Sequence, residues 1–337
     1  MLTPLVCLFF LTIVFIFLLR SFALELKMID RPNARSIHKK ETARGAGIAF
    51  FFAITLTLLF WNAEWFTLHP WSSLAIFFVF LVGVFDDIKG SSPKLKFLFI
   101  IVGTLLLSLE NIMIRDFGNF FSWHLTLGYL AYPLTIFVVS GFTNALNLID
   151  GLDGLSASLS LVMLSSFLFI GFTHHDMFMV WISLLFMTTL LAFLLFNWHP
   201  ASIFMGDSGS LLLGFVISLL AIVSLAYIPP VSILFLAAVP LLDTLVVMIR
   251  RKKAGNSFFQ ADACHIHHIL KQYFHHSVPK TVLTLVGVQL FYTFIGLQLM
   301  KGMDQGVLFI GFVIHILLLY LFVNKMIKKL NMPCVQH

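Results

Sequence analysis

Charge is what this chain has least of. Of its 337 residues only 11% are Asp, Glu, Lys or Arg, against about 25% in a soluble domain. The deficit runs along the whole length, and 60% of residues are hydrophobic. A soluble fold of this size is excluded, because its core would leave long loops of mixed composition. Cysteine is nearly absent: Cys7, Cys264 and Cys334 are scattered, so no disulfide framework is expected. Long linkers, low-complexity tracts and internal repeats are also missing, so a single domain over 1–337 is expected. No compact basic domain exists, which argues against nucleic acid as a partner despite the net charge of +6. That charge reports topology and attraction to the lipid bilayer.

What the chain does have is apolar sequence in helix-length runs. A membrane-spanning helix needs about 20 apolar residues. The runs fall at 3–23, 46–68, 71–88, 95–113, 125–143, 155–173, 177–196, 209–228, 231–249, 281–300 and 306–324. The expected fold class is therefore all-α: a polytopic membrane protein of about 11 transmembrane helices. No basic residue precedes the first run and no small-residue cleavage site closes it, so it reads as a helix and not a cleaved signal. Lys and Arg set the orientation. With the N-terminus outside and the C-terminus cytoplasmic, the inner loops are 24–45, 86–96, 144–154, 197–208 and 250–280. Of the 21 basic residues, only Arg115 and Lys301 then lie outside, and Arg20 sits at the inner end of the first helix.

Polar motifs interrupt the apolar chain, and this topology puts all of them on the inner face. Asp86-Asp87 closes the third run. Adjacent acids on a helix point about 100° apart, so both can serve one polar site; the plain alternative is a helix end wetted by the interface. The stretch NALNLIDGLDGL carries Asn144, Asn147, Asp150 and Asp153 at a spacing of three, which aligns them on one helical stripe. A simple polar turn needs one such group, not four. FMGDSGS, around Asp207, has the make-up of a helix N-terminus with its own capping residues. Free N–H groups there suit phosphate, and the acid suits a metal. His265-Ile266-His267-His268 near Cys264 invites a zinc reading, but the spacing does not match one. Beside Arg250, Arg251, Lys252 and Lys253 these histidines suit an anion, or else form a solvated loop. The 27–44 loop is basic, which topology alone accounts for in large part; Gly45 and Gly47 after it permit close backbone approach.

Carboxylates that suit Mg²⁺ beside bases that suit phosphate point to phosphoryl transfer, with a lipid phosphate as one substrate. Two phosphate charges about 4 Å apart repel by about 1 kcal/mol in water and by about four times that at an effective dielectric of 20, so cations must accompany them. A transporter is the alternative class, although polar groups gathered at one face, and not at the midplane, speak against it.

In this combination and order the chain resembles the polyprenyl-phosphate N-acetylhexosamine-1-phosphate transferases, and more closely their amino-sugar branch than their muropeptide branch. The matching stretches are DRPNARSIH, DD at 86–87, NALNLIDGLDGL, FMGDSGSLLLG, PLLDTLVVMIRR at 240–251 and HIHH. Departures are mild: Ala43 stands where a proline is usual, and GAG at 45–47 where two or three glycines are. The resemblance implies transfer of a sugar 1-phosphate from a UDP-N-acetylhexosamine to undecaprenyl phosphate, with Mg²⁺ (or Mn²⁺) as cofactor. GlcNAc is the default sugar, with GalNAc, FucNAc and QuiNAc as alternatives. It implies a bacterial inner-membrane enzyme, able to form a homodimer, that starts a surface glycan such as O antigen. It implies Asp207 and Asn147 as metal ligands and Asp86 and Asp87 as catalytic acids, by direct displacement or through an acyl phosphate. Lys96, with Lys94 as a second candidate, would hold the diphosphate. His265, His267 and His268 would touch diphosphate or sugar; Asn144, Asp150 and Asp153 would shape the nucleotide pocket. Lys39 and Arg44 would meet the lipid phosphate.

Overall fold

The computed structural model describes residues 2–31, 41–121, 123–257, 264–299 and 304–332. The chain packs as two units, one of Met1–Arg115 with Leu127–Tyr227, the other of Asp116–Thr126 with Ile228–His337.

The first unit opens with α1 (Leu2–Phe22), a short antiparallel pair β1 (Ile29–Asp30) and β2 (Thr42–Ala43), then α2 (Gly47–Trp61) and α3 (Trp65–Leu68). α4 (Pro70–Lys89) and α5 (Pro93–Leu109) follow. The turn between them is written in the sequence. Gly90 ends α4 at φ 73°, Ser92 caps α5 by accepting from Leu95 N, and Pro93 is its first residue. Glu110, just past the end of α5, returns to accept from Trp71 N and Ser72 N at the start of α4 (2.7 and 3.0 Å). α6 (Ala131–Ile149), α7 (Leu155–Thr173), α8 (Met177–Asn197) and α9 (Gly206–Ser224) complete the unit.

α9 is its centre. Every residue from Ser208 to Leu220 is buried, as expected of a helix that is apolar on all sides. Its neighbours approach to backbone distance. A Cβ added at Gly83 on α4 would lie 2.5 Å from Ser208 Cα, and one at Gly47 on α2 would lie 2.2 Å from Gly209 N. The two glycines thus let α2 and α4 clamp the first turn of α9. The close backbone approach that Gly47 permits is made here to the start of α9.

The second unit holds the hairpin β3 (Asp116–Phe120) and β4 (Trp123–Thr126), then α10 (Pro230–Leu236), α11 (Ala238–Lys253), α12 (Ile266–Tyr273), α13 (Val278–Leu299) and α14 (Gln305–Lys329). The hairpin and a 3₁₀ turn at Gly128–Leu130 occupy the start of the expected 125–143 span, so that helix begins only at Ala131. The 231–249 run is not one straight helix. α10 and α11 meet at an 88° bend. Pro240 in the first turn of α11 has no N–H to continue the ladder. Gln289 on α13 satisfies the freed groups: its Oε1 accepts from Val239 N (2.9 Å) and its Nε2 donates to Leu236 O (2.8 Å). That glutamine is fully buried.

The protein is an all-α polytopic membrane protein with two small hairpins. Among the described residues, eight helices are long and apolar enough to cross a membrane, or nine if the bent pair counts as one span. α2 and α5, expected to span, have only 15 and 17 residues. Cys7 is a free thiol, whereas Cys264 is disulfide-bonded, a pairing the sequence reading did not expect.

Gln289→Leu keeps the volume and removes both bonds, leaving Val239 N–H and Leu236 C=O buried without partners. The cost should be about 1–3 kcal/mol for each orphaned group. A thermal melt of the detergent-purified variant should show a clear drop in Tm, and an unchanged Tm would mean that the bend holds without this residue.

Candidate active site

Four chain segments of the first unit meet at the N-terminus of α9. They are the end of α4 with Asp86 and Asp87, the start of α5 with Lys96, the end of α6 with Asn147 and Asp150, and the first turn of α9 with Asp207. The short α4–α5 turn explains how Lys96 comes back beside Asp86. Lys96 Nζ lies 3.0 Å from Asp86 Oδ2 and also contacts Asp207 Oδ2 directly. Asn147 Nδ2 donates to Asp207 Oδ1 (3.2 Å) and to Ser210 Oγ (2.8 Å). Asp86 Oδ1 accepts from Ser91 N and Ser91 Oγ (2.7 and 2.6 Å).

Asp87 faces elsewhere. Its two oxygens accept from Asp207 N and Ser208 N, each at 2.9 Å. It is 2% exposed and caps α9 from another helix, where a negative charge also meets the positive end of the helix dipole. Met205 at the N-cap position makes no side-chain cap bond. The expectation that FMGDSGS caps itself and offers free N–H groups to phosphate is therefore corrected for Asp207 and Ser208, because Asp87 holds those amides. The approach needs Gly206 at φ 71°, where a Cβ would lie 2.6 Å from Asp87 Oδ2. Arg44 Nη2 donates to the Asp87 carbonyl at 2.7 Å, so this arginine secures the end of α4.

The other expected residues divide. Asp153 Oδ2 accepts from His199 Nδ1 (2.7 Å) and Ala201 N (3.1 Å), and Asn197 Oδ1 accepts from Gly154 N (2.9 Å). Asp153 thus ties the α6–α7 connection to the α8–α9 connection. Asn144 stands one turn before Asn147 on α6, half-buried. Lys94 is exposed. Lys39 lies outside the described residues. Asp150 feels the acid cluster most directly. Burial, then the carboxylates of Asp207, Asp87 and Asp153, push its carboxyl up to about 7.

In the second unit, α11 and α12 gather the histidines. His265 Nδ1 is 2.7 Å from Asp243 Oδ2, and Ile266 N donates to Asp243 Oδ1 at 2.7 Å. Arg250 and Arg251 are 8% and 7% exposed, and Arg250 Nη2 donates to Cys264 O at 3.0 Å. His267 is buried, and among the described residues neither of its ring nitrogens has a hydrogen-bond partner. Burial, with His268, His265 and Lys271 nearby, holds it well below the usual histidine range, so it is neutral. Sequence reasoning passed over Ser91, Asn197, His199, Ser210 and Asp243 as site residues. Asp243 had a signal: it is the one acid inside the apolar 231–249 run.

Among the described residues no three His, Cys, Asp or Glu side chains cluster as metal ligands. The donor set nevertheless fits a hard divalent cation. Asp86 and Asp207 bracket a position now filled by an ammonium group, and Mg²⁺ characteristically takes one or two carboxylates plus phosphate oxygens.

A half-buried acid–lysine–amide centre thus stands at a helix start in an all-α membrane protein. The chain belongs to glycosyl transferase family 4, whose model matches residues 70–225. It is 34% identical to the probable undecaprenyl-phosphate N-acetylglucosaminyl 1-phosphate transferase of Bacillus subtilis (strain 168), over 80% of this chain and 77% of that one. It is 31% identical to the undecaprenyl-phosphate alpha-N-acetylglucosaminyl 1-phosphate transferase of Yersinia pestis, and 30% to that of Escherichia coli (strain K12), each over 80% of this chain and 76% of the relative. The transporter alternative finds no support among them.

Two predictions follow from this geometry. Asp87→Ala leaves Asp207 N–H and the buried Ser208 N–H without their acceptor, at about 1–3 kcal/mol for each orphaned group, whereas water can reach the partners of the more exposed Asp86; Asp87→Ala should therefore lower Tm by several degrees more than Asp86→Ala does, and equal shifts would put the cap elsewhere. Asp150 gives a pH dependence. An unfolded Asp ionises near pH 4, so between about pH 4 and about pH 7 the folded protein holds a proton that the unfolded chain has lost. Stability should fall as pH rises through that window and level off above it. Melts across pH should show Asp150→Asn with a shallower fall than wild type, and parallel curves would contradict the assignment.

Proposed function

We propose that the protein transfers N-acetylglucosamine 1-phosphate from UDP-GlcNAc to undecaprenyl phosphate and releases UMP. The observation that carries the reading is the Asp86–Lys96–Asp207 centre, in a chain whose relatives bear that activity in their names. A phosphate oxygen of the lipid attacks the β-phosphorus of the nucleotide sugar. The new P–O bond forms as the bond to UMP breaks, and UMP leaves with the bridging oxygen. One phosphoanhydride replaces another, so the reaction is close to energetically neutral.

Residue roles in this reading follow from what each group has free. Asp207, with Asn147 and Asp86 beside it, would hold Mg²⁺ or Mn²⁺. That ion, when bound, supplies charge neutralisation between two anionic phosphates. Asp87 is the positioning residue, because its oxygens are occupied by α9. Asp86 is the member of the pair left to orient the lipid phosphate or to take its proton. Lys96 is the cationic group that turns from the carboxylates to the diphosphate, and its place between them supports that role. Positioning and electrostatics of this kind carry most of the catalysis in phosphoryl transfer. Asp150 and Asp153 belong to the nucleotide side, Asp153 through the loop it ties. The assignment of His265, His267 and His268 to diphosphate or sugar rests on the resemblance and on the buried basic chemistry of their own unit. The excess of Lys and Arg in the inner loops supports a cytoplasmic active face in a bacterial inner membrane.

Purified protein with UDP-GlcNAc, undecaprenyl phosphate and Mg²⁺ should release UMP. EDTA should stop the release, and added Mg²⁺ or Mn²⁺ should restore it. Asp207→Asn should lower turnover by about 100-fold or more. Absence of UMP with every UDP-N-acetylhexosamine in a donor panel would overturn the enzyme reading. Near-normal turnover in Asp207→Asn would remove that residue from the ion.

A further inference from the structure

We infer that Asp243 is a positioning residue that fixes the tautomer and orientation of His265, so that Nε2 is the ring nitrogen this histidine presents to a phosphate-bearing substrate. The substrate part of the inference rests on the transferase reading above; the positioning part rests on geometry alone. Asp243 lies in α11 at 3% exposure and His265 at 4%. A carboxylate buried this deeply must have its oxygens satisfied, and both are. Oδ1 takes the Ile266 N–H at 2.7 Å, and Oδ2 meets His265 Nδ1 at 2.7 Å.

The direction of the second bond follows from chemistry. An ionised carboxylate has only acceptors, so the shared proton sits on Nδ1. The ring can then rotate little without breaking a charge-assisted bond, and Nε2 is the one ring nitrogen left for a ligand. The backbone is held as firmly as the ring. His265 is the N-cap residue of α12, and its carbonyl accepts from His268 N and Ile269 N (3.0 and 3.2 Å). Arg250, two turns beyond Asp243 on α11, binds the carbonyl of Cys264 next door. One helix therefore sets both the main chain and the imidazole of His265. His267 contrasts with it: buried, its nitrogens without hydrogen bonds among the described residues.

A purely structural Asp243 would only cap α12, and the two roles separate experimentally. Asp243→Asn keeps an oxygen for Ile266 N–H but turns an amide donor toward Nδ1, which forces the proton to Nε2. In the UMP-release assay this variant should lose about 10- to 100-fold in kcat/KM, the usual effect of removing a group that orients a histidine. The double variant Asp243→Asn/His265→Asn should be no slower than His265→Asn alone. Losses that multiply, or a fully active Asp243→Asn beside an active wild type, would overturn the inference and leave the transferase reading standing. A second measurement needs no turnover. In ¹⁵N-histidine-labelled wild type, the resonance that disappears in His265→Asn should report a protonated Nδ1. A bare Nδ1 there overturns the positioning claim even if the protein released no UMP.

Discussion

The site depends on one contact: a buried carboxylate from α4 held against the first amides of α9. Asp87 reaches Asp207 N and Ser208 N with both oxygens, and that places the start of α9 before any ligand is considered. A helix begins with N–H groups that no internal partner satisfies. Ser208 is fully buried, so its N–H needs a partner from the protein. Supplying it as a charge from a neighbouring helix fixes the two helices in register as well as capping one of them. The glycines follow as consequences. Gly47, Gly83 and Gly206 stand where a Cβ would strike the clamp itself.

Once the first turn of α9 is set, the rest of the centre is geometry. Asp207 is the second residue of that turn, so its direction is inherited from the cap. Asn147 steadies it from α6 through one amide group that also reaches Ser210. Lys96 arrives from α5 because the Gly90–Ser92–Pro93 turn is short. Ser91, inside that turn, fixes Asp86. Two adjacent acids therefore do different work. About 100° of helix rotation sends one toward the lysine and the other into a helix end.

This division explains what could be seen from the sequence and what could not. The apolar runs were legible because each is nearly uniform over a helix length. The polar motifs of Asp86, Asn147 and Asp207 were legible from residue chemistry, and their grouping with Lys96 from the family resemblance. The separate tasks of Asp86 and Asp87 were not, because the difference lies in which side of α4 meets α9, a tertiary fact. The α10–α11 bend was hidden for a similar reason. Pro240 hints at it, but the residue that makes it tolerable, Gln289, lies on another helix about 50 residues away. Asp153 read as a ligand group because its partner, His199, sits in a loop with no motif of its own. Asp243 was quoted only as part of a matching stretch, since its partners begin more than 20 residues later.

The charge balance of the centre gives the last step. Asp86, Asp87, Asp150 and Asp207 are four carboxyl groups, and the ammonium among them is that of Lys96. Asp87 is compensated by the amides and dipole of α9. The remaining acids exceed the one lysine; Asp150, pushed up to about 7 first by burial and then by the carboxylates of Asp207, Asp87 and Asp153, lies among them. A site with surplus negative charge is poorly matched to two anionic phosphates by itself, since each would be repelled by about 1 kcal/mol per charge pair even in water. It is well matched to them when a divalent cation enters with the substrates. In the proposed reading Asp86 and Asp207 would hold such an ion, which would offset their charge and leave Lys96 to meet the diphosphate. The surplus supports the metal dependence proposed above, from residues of this chain alone.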